Sequence, residues 1–295
     1  MSPDLLPLHR CQGTVAAPVN FTGRGLHSGR RTEVTLLPAD AGRGLVFRVS
    51  PKKGASTDIP ARWDQVRSRP LCTCVAAEQR QIRTVEHLMA ALYACGVDNA
   101  VIEVRGNEIP VLDGSAGPFV DAISQAGIHK QNAPRRRLRV KKTVRVSLGK
   151  SRAQLHPGPG LVLDVTGGLG GFPAMRWKGT MNRQVFKRQI ARARTYGHLV
   201  HGLQAKIFTF FLPNPLCLGA SLDNAVVAYR GRVLTPGGLR YRNEFVRHRV
   251  LDLMGDLMLA GGDLIGHLNC VRPTHELNRL LLERLFADEA AYAWV

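Results

Sequence analysis

The sequence predicts an α+β fold built from two topologically similar two-layer domains, each a sheet with helices, packed against each other. Three observations carry this expectation. At 295 residues the chain exceeds the ~100–200 residues of a typical domain, and its 44% hydrophobic and 21% charged content is ordinary for a folded globular protein. Segments with strand and helix patterning follow one another as strands, helix, strand, helix in the first half, an order that layers helices on a sheet. The same rough order returns after a basic run, so the domains are expected at 1–132 and 133–295.

In chain order, residues 15–49 alternate in short apolar pieces, with 33–37 and 44–49 the clearest strands. Between them lies GRGLHSG, residues 23–29. Such glycines let backbone pass close to a ligand and equally make a tight turn, and His27 on this loop is exposed enough to meet a substrate. Residues 51–70 are polar and irregular, and 71–76 read as a short apolar strand. Thr84 then caps a helix that Gly96 closes, with Val85, Leu88, Met89 and Leu92 as its buried stripe. Glu86 and His87 fall in its first turn, where an acidic residue suits the helix dipole and is commonplace. Glu followed directly by His also puts a carboxylate beside any metal that the imidazole binds. Residues 99–104 are a strand, and 112–119 a turn into a helix ending near Gly127.

The basic run from Arg135-Arg136-Arg137 to Lys141-Lys142 reads more simply as a solvated linker and exposed strand face than as a binding patch. Beyond it, 139–146 and 160–166 are expected strands, 184–194 a helix, 222–229 a strand and 277–286 a closing helix. IFTFFLPNP, residues 207–215, breaks the pattern by packing Phe208, Phe210 and Phe211 ahead of two prolines. Too short to span a bilayer, it fits a buried strand, a membrane-touching loop or the wall of an apolar channel.

Composition narrows the partners. With 41 Lys+Arg against 22 Asp+Glu the chain carries +19, which favours an anionic partner such as a phosphorylated substrate, an acidic membrane surface or nucleic acid. No apolar run reaches 18 residues, so no transmembrane helix is expected, and the first residues lack a signal layout. The scattered Cys11, Cys72, Cys74, Cys95, Cys217 and Cys270 are expected as free thiols in a reducing cytoplasm.

The most informative stretch runs from Glu244 to a stop at Gly261-Gly262. It spaces His248, Asp252 and Asp256 at two four-residue steps, which on a helix keeps them on nearly one face. An imidazole and a carboxylate one turn apart can bind one Zn²⁺, provided another ligand arrives from elsewhere. Alone, the spacing fits a surface pair or a satisfied core histidine as well. If the halves correspond, the Glu86-His87 helix faces this one across their interface.

Taken together the motifs resemble the UDP-3-O-acyl-N-acetylglucosamine deacetylases, zinc amidases of bacterial lipid A synthesis. The blocks are GRGLHSG, LCTC (71–74), TVEHLMAAL (84–92), NAVIEV and IPVLDGSAGPFV (99–120), IARARTYG (190–197), LCLGASLDNAVV (216–227), FVRHRVLDLMGDL (245–257) and THELN (274–278). The resemblance implies the two similar α+β domains face to face with the active site between them, and a zinc ion held by His87, His248 and Asp252. Glu86 matches the general base, His275 the charged partner that acts as acid and electrostatic stabiliser, Asp256 the carboxylate orienting that imidazole, and Thr195 a hydroxyl that stabilises the oxyanion. His27, Leu71, Cys72, Tyr196, Ala220, Ser221, Arg249 and Arg272 match substrate-binding positions. Residues 198–220 correspond to an apolar passage for an acyl chain.

The implied reaction is hydrolysis of the 2-acetamido group of a UDP-linked, 3-O-acylated glucosamine, releasing acetate. A cytoplasmic monomer touching the anionic inner-membrane surface is the implied setting, with no nucleic-acid partner. Arg249 stands where the family carries lysine, a glycine run at 167–171 replaces residues associated with uridine binding, and 201–215 is several residues longer than usual. These departures keep a divergent zinc-binding paralogue as the alternative. A basic nucleic-acid module would need RNP-like or zinc-finger spacing, which the sequence lacks.

Overall fold

The computed structural model describes residues 11–50 and 55–295. The first ten residues and 51–54, part of the expected irregular stretch, lie outside the described residues. In the first half, β1 (Val19–Arg24), β2 (Arg31–Pro38), β3 (Leu45–Val49), β4 (Thr57–Pro60) and β5 (Ala100–Arg105) form a sheet in the order β1-β2-β5-β3-β4. Successive neighbours pair antiparallel, antiparallel, parallel and antiparallel. In the second half, β6 (Val144–Leu148), β7 (Ser151–His156), β8 (Leu161–Gly167), β9 (Met175–Thr180) and β10 (Asp263–Val271) repeat the arrangement as β6-β7-β10-β8-β9. The same succession of pairings recurs. Strands Arg137–Val140 and Tyr292–Trp294 extend this second sheet. Period-two patterning selects the inward faces: Thr32, Val34 and Leu36 are buried on β2, and Leu161, Leu163 and Val165 on β8.

Six helices are present among the described residues: α1 (Glu86–Cys95), α2 (Gly117–Ala126), α3 (Arg183–Gln189), α4 (Leu199–Thr209), α5 (Glu244–Met258) and α6 (His275–Phe286). α1 precedes β5 as α5 precedes β10, and α2 and α6 follow those strands, so the halves are topological counterparts. Every residue of α1 is buried, because it packs among α5, α2 and α3. α1 and α5 meet at Gly255. A methyl group there would lie 2.7 Å from the carbonyl carbon of Glu86 and 2.9 Å from its Cα, so only glycine permits the approach.

Several sequence expectations are corrected. Thr84 does not cap α1: the cap position is Val85, and Thr84 has φ 58°, a strained value for a β-branched residue. Its hydroxyl donates instead to Glu108 Oε1 at 3.0 Å. The strand expected at 71–76 begins only at Cys74, because Leu71 turns through φ 63° and is 63% exposed. The expected strand 139–146 is two strands, since Lys141 and Lys142 leave the sheet to donate their amides to Ala291 O. Helix 184–194 stops at Gln189, and the strand expected at 222–229 starts at Val226.

Arg135 is not a solvated linker residue. It is 6% exposed, donating to Asp98 at 2.6 Å and to Gly96 O at 2.9 Å, and so pins the crossover between the halves. The Phe-rich stretch is not a buried strand either. It is the end of α4 and the turn after it, and no residue of α4 is buried. The glycine run at 167–171 is anchored: Phe172 at its end packs edge-on against Phe245 at 5.1 Å, and Tyr196 donates to Gly168 O.

Candidate active site

His87 enters from the first turn of α1, and His248 and Asp252 from successive turns of α5. The Asp252 carboxylate oxygen Oδ1 lies 3.6 Å from His87 Nε2 and 3.3 Å from His248 Nε2. One donor atom from each residue falls within 4.8 Å of the others, all three residues being buried. The two imidazoles meet edge-on at 84°, as rings do when aimed at one point from different directions.

The surroundings fit a metal ion. His248 Nδ1 donates to Ala193 O at 3.0 Å, which fixes the tautomer and leaves the Nε2 lone pair facing the other ligands. Asp252 Oδ1 is buried with no hydrogen-bond partner among the described residues, an arrangement that costs free energy unless a cation or a water completes it. Burial drives the His248 pKa down to about 4, against the attraction of Asp252. Asp252 itself is held well below the usual carboxylate range: burial opposes its charge, but the neighbouring imidazoles outweigh it. Two nitrogens and one ionised oxygen with space beside them match the donor set of a catalytic zinc.

Glu86 and His275 flank this centre. Burial pushes the Glu86 pKa up to about 7, although His275 and His87 pull it down. A carboxylate poised near neutrality is suited to taking and returning a proton. His275, the first residue of α6, sits with Nε2 3.8 Å from Glu86 Oε1 and Nδ1 3.0 Å from Asp256 Oδ2. Burial disfavours its charge, but the carboxylates of Asp256 and Glu86 more than compensate, raising its pKa to about 10. The side chain is therefore an imidazolium at neutral pH.

Asp256 lies behind His275, one turn of α5 beyond Asp252. Asn278 donates to its Oδ2 at 2.8 Å. Thr73, which sequence reasoning missed, ties the two halves of the site together. Its amide donates to Glu86 Oε2 at 3.0 Å, its hydroxyl donates to Asp256 Oδ1, and the same oxygen lies 3.0 Å from His275 Nδ1. The left-handed turn at Leu71 delivers Thr73 to this position. Glu108 was also missed. It accepts the amides of His27 and Ser28 at 2.7 and 2.8 Å and so holds the GRGLHSG loop against the site; a Cβ on Gly25 would strike its carboxyl carbon at 2.5 Å.

Glu86, His87, His248, Asp252 and His275 open into one cavity of about 440 Å³, also lined by His27, Leu71, Thr195, Tyr196 and Arg249. Cys72, Ala220, Ser221 and Arg272 do not line it. Cys72 is 2% exposed, and burial raises its thiol pKa well above the ordinary value. Ala220 and Ser221 lie on the turn beyond the Cys217 wall. Arg272 is adjacent to the glycine run: a Cβ on Gly167 would be 3.9 Å from Arg249 Cγ and 4.0 Å from Arg272 Cα. The Arg249 guanidinium sits 5.2 Å over the Tyr196 ring and 4.0 Å from Asp252. Two sequence departures, the arginine and the glycines, thus form one corner of the site.

Comparison with known proteins agrees with this geometry. The model of the UDP-3-O-acyl N-acetylglycosamine deacetylase family matches residues 12–287. The chain is 41% identical over 290 residues to the UDP-3-O-acyl-N-acetylglucosamine deacetylase of Idiomarina loihiensis, covering 96% of this chain and 92% of the relative. It is 40% identical over 288 residues to that of Xanthomonas euvesicatoria, with 96% and 93% covered, and 41% over 292 residues to that of Vibrio cholerae, with 96% and 92% covered. On this evidence of sequence and site together, the chain belongs to the UDP-3-O-acyl N-acetylglycosamine deacetylase family.

Proposed function

We propose that the protein is a zinc amidase that removes the acetyl group from the 2-acetamido nitrogen of a UDP-linked, 3-O-acylated glucosamine, a step of lipid A biosynthesis. The observation that carries this reading is the convergence of His87, His248 and Asp252 beside Glu86 and His275 in one cavity, in a chain about 40% identical to deacetylases over nearly its whole length. His87, His248 and Asp252 would hold the zinc, which would supply Lewis acidity to the site when bound.

The remaining steps belong to the chain's own groups. Glu86 accepts the proton of the attacking water as it adds to the carbonyl carbon. His275, charged and oriented through Asp256, stabilises the developing negative charge and donates its Nε2 proton to the departing amine nitrogen. The Thr195 hydroxyl faces the same oxyanion. His27, Leu71, Tyr196 and Arg249 line the substrate site, with Arg249 and the neighbouring Arg272 toward the diphosphate, whose oxygens suit a guanidinium fork, and the Cys217 end of residues 198–220 at the acyl end. We read the chain as domains 1–132 and 133–295, acting as a cytoplasmic monomer at an anionic membrane surface.

The test couples metal content with acetate release from the UDP-linked acylated sugar. Glu86→Ala should keep about one zinc per chain and lose roughly 10²–10⁴-fold in turnover, whereas His87→Ala should lose the zinc. Full turnover by zinc-replete Glu86→Ala would refute the assignment.

A further inference from the structure

Outside the cavity, the largest unexplained surface is the end of α4 and the turn that follows it. Ile207 is 70%, Phe208 76%, Phe210 59% and Phe211 93% exposed, and Leu212, Leu203 and Val200 join them. A patch of this kind on a water-soluble surface marks an interaction site. None of these side chains lines the cavity, which reaches this segment only at Cys217, so the aromatic tip faces outward. The tip is nonetheless held close to the site. Asn214 accepts from Gln81 at 2.8 Å, Pro215 O accepts from Arg83 at 3.1 Å, and Lys206 donates to Ala220 O at 2.8 Å.

Charge identifies what covers it. Between Asp164 and Glu244 the chain has a single acidic residue, Asp223, against twelve Lys and Arg. Several of these are paired elsewhere, as Arg183 is with Asp263 and Arg194 with Glu244. Lys206, Arg230 and Arg232 have no acidic partner among the described residues, and the last two are exposed on the hairpin that packs against α4. On the other side of the tip, Gln81 ties Arg69 alongside, its Nη2 donating to Gln81 Oε1 at 2.9 Å, and Arg80 is exposed beside them. Aromatic and aliphatic side chains projecting from a rim of unpaired cations fit a bilayer of anionic phospholipid, with the rings among the acyl chains and the cations at the headgroups. A second copy of this chain would bring the same positive rim against itself.

We propose that residues 199–212 form a membrane-docking element that inserts Ile207, Phe208, Phe210 and Phe211 into an anionic bilayer and thereby holds the mouth of the cavity at the lipid surface. This deepens the reading above, in which the substrate carries an acyl chain: such a chain could pass between bilayer and cavity without crossing open water.

Flotation of the full, zinc-loaded chain with vesicles tests it. Vesicles of phosphatidylcholine with phosphatidylglycerol should bind the protein at least about tenfold more tightly than phosphatidylcholine alone, since each cation near such a surface contributes about as much as a tenfold change requires. Phe208→Ser/Phe211→Ser should lose that binding by a similar factor at unchanged melting temperature, and Arg230→Glu/Arg232→Glu should weaken it and flatten its salt dependence. Phe211→Trp should emit at shorter wavelength when vesicles are added. Equal binding to both vesicle types, undiminished binding by the double Phe variant, or a lipid-free dimer dispersed by those substitutions would each overturn the proposal. Acetate release measured on the same preparation keeps the two readings apart: absent vesicle binding with normal turnover removes only the docking element, and absent turnover with normal binding removes only the deacetylase assignment.

Discussion

Replacing Gly255 with alanine tests how the two halves build one centre. Within a helix this substitution normally stabilises, because glycine costs ~1 kcal/mol relative to alanine in a helix interior. At Gly255 the sign should reverse. The new methyl would sit 2.7 Å from the Glu86 carbonyl carbon and 2.9 Å from its Cα, and both are backbone, so no side chain can swing aside. Carbon atoms settle at ~3.5–4.0 Å, so α1 and α5 must part by roughly 1 Å. Overpacking of this kind costs about 1–3 kcal/mol, more than the helix-propensity gain. The larger consequence falls on the metal site: His87 rides on α1, His248 and Asp252 on α5, and their donor atoms lie within 4.8 Å of one another. Zinc–ligand distances tolerate about 0.2 Å, so the separation should lower zinc affinity by orders of magnitude. Competition with a chelator reads the affinity, and thermal melting of the apo and loaded forms reads the stability. Gly202→Ala is the control, since a methyl there meets nothing within 4 Å on α4, and it should raise stability by about 0.4–1 kcal/mol. Gly255→Ala with unchanged zinc affinity and melting temperature would refute the close-approach argument.

Three further outcomes follow from the contacts. Thr73→Val keeps the shape but removes the hydroxyl shared by Asp256 and His275; a hydrogen bond to a charged group is worth about 1.5–3 kcal/mol, so kcat should fall roughly 10- to 100-fold with KM and zinc content little changed, and Thr73→Ser should recover most of it. In the apo form, Asp256→Asn should destabilise in a pH-dependent way. The folded-state pKa of His275, about 10, lies above its ordinary 6.5, so the stability it contributes is complete below 6.5 and lost as pH rises through 10; the difference in unfolding free energy between wild type and variant should shrink across that window in urea titrations, and a difference that is flat with pH would refute it. Arg135→Ala, which removes the buried guanidinium that donates to the partly buried Asp98, should cost about 1.5–3 kcal/mol in urea unfolding, whereas an exposed linker arginine would cost under ~0.5 kcal/mol.

What could be read from the residues alone was whatever short-range rules control. The four-residue steps from His248 to Asp256 are a property of any helix, and the Val85, Leu88, Met89, Leu92 stripe marks α1, whereas α5 stops at Met258, ahead of the expected Gly261-Gly262 end. The order of strands and helices, repeated in both halves, was sufficient for the fold class, since each element must bury one face on a neighbour. The ordered motif blocks likewise singled out Glu86, His87, His248, Asp252 and His275 before any distance was known. Tertiary structure alone decided what joins these parts. Thr73 reaches Asp256 across 183 positions and His275 across 202, and the Ala193 carbonyl orients His248 across 55; no periodicity encodes contacts between distant segments. The buried setting of Arg135, the left-handed Thr84 bonded to Glu108 and the need for glycine at 255 arise in the same way. Each is a local sequence feature with an ordinary local reading, overruled because burial makes an unpaired polar group or an extra methyl costlier than the local preference it overrides.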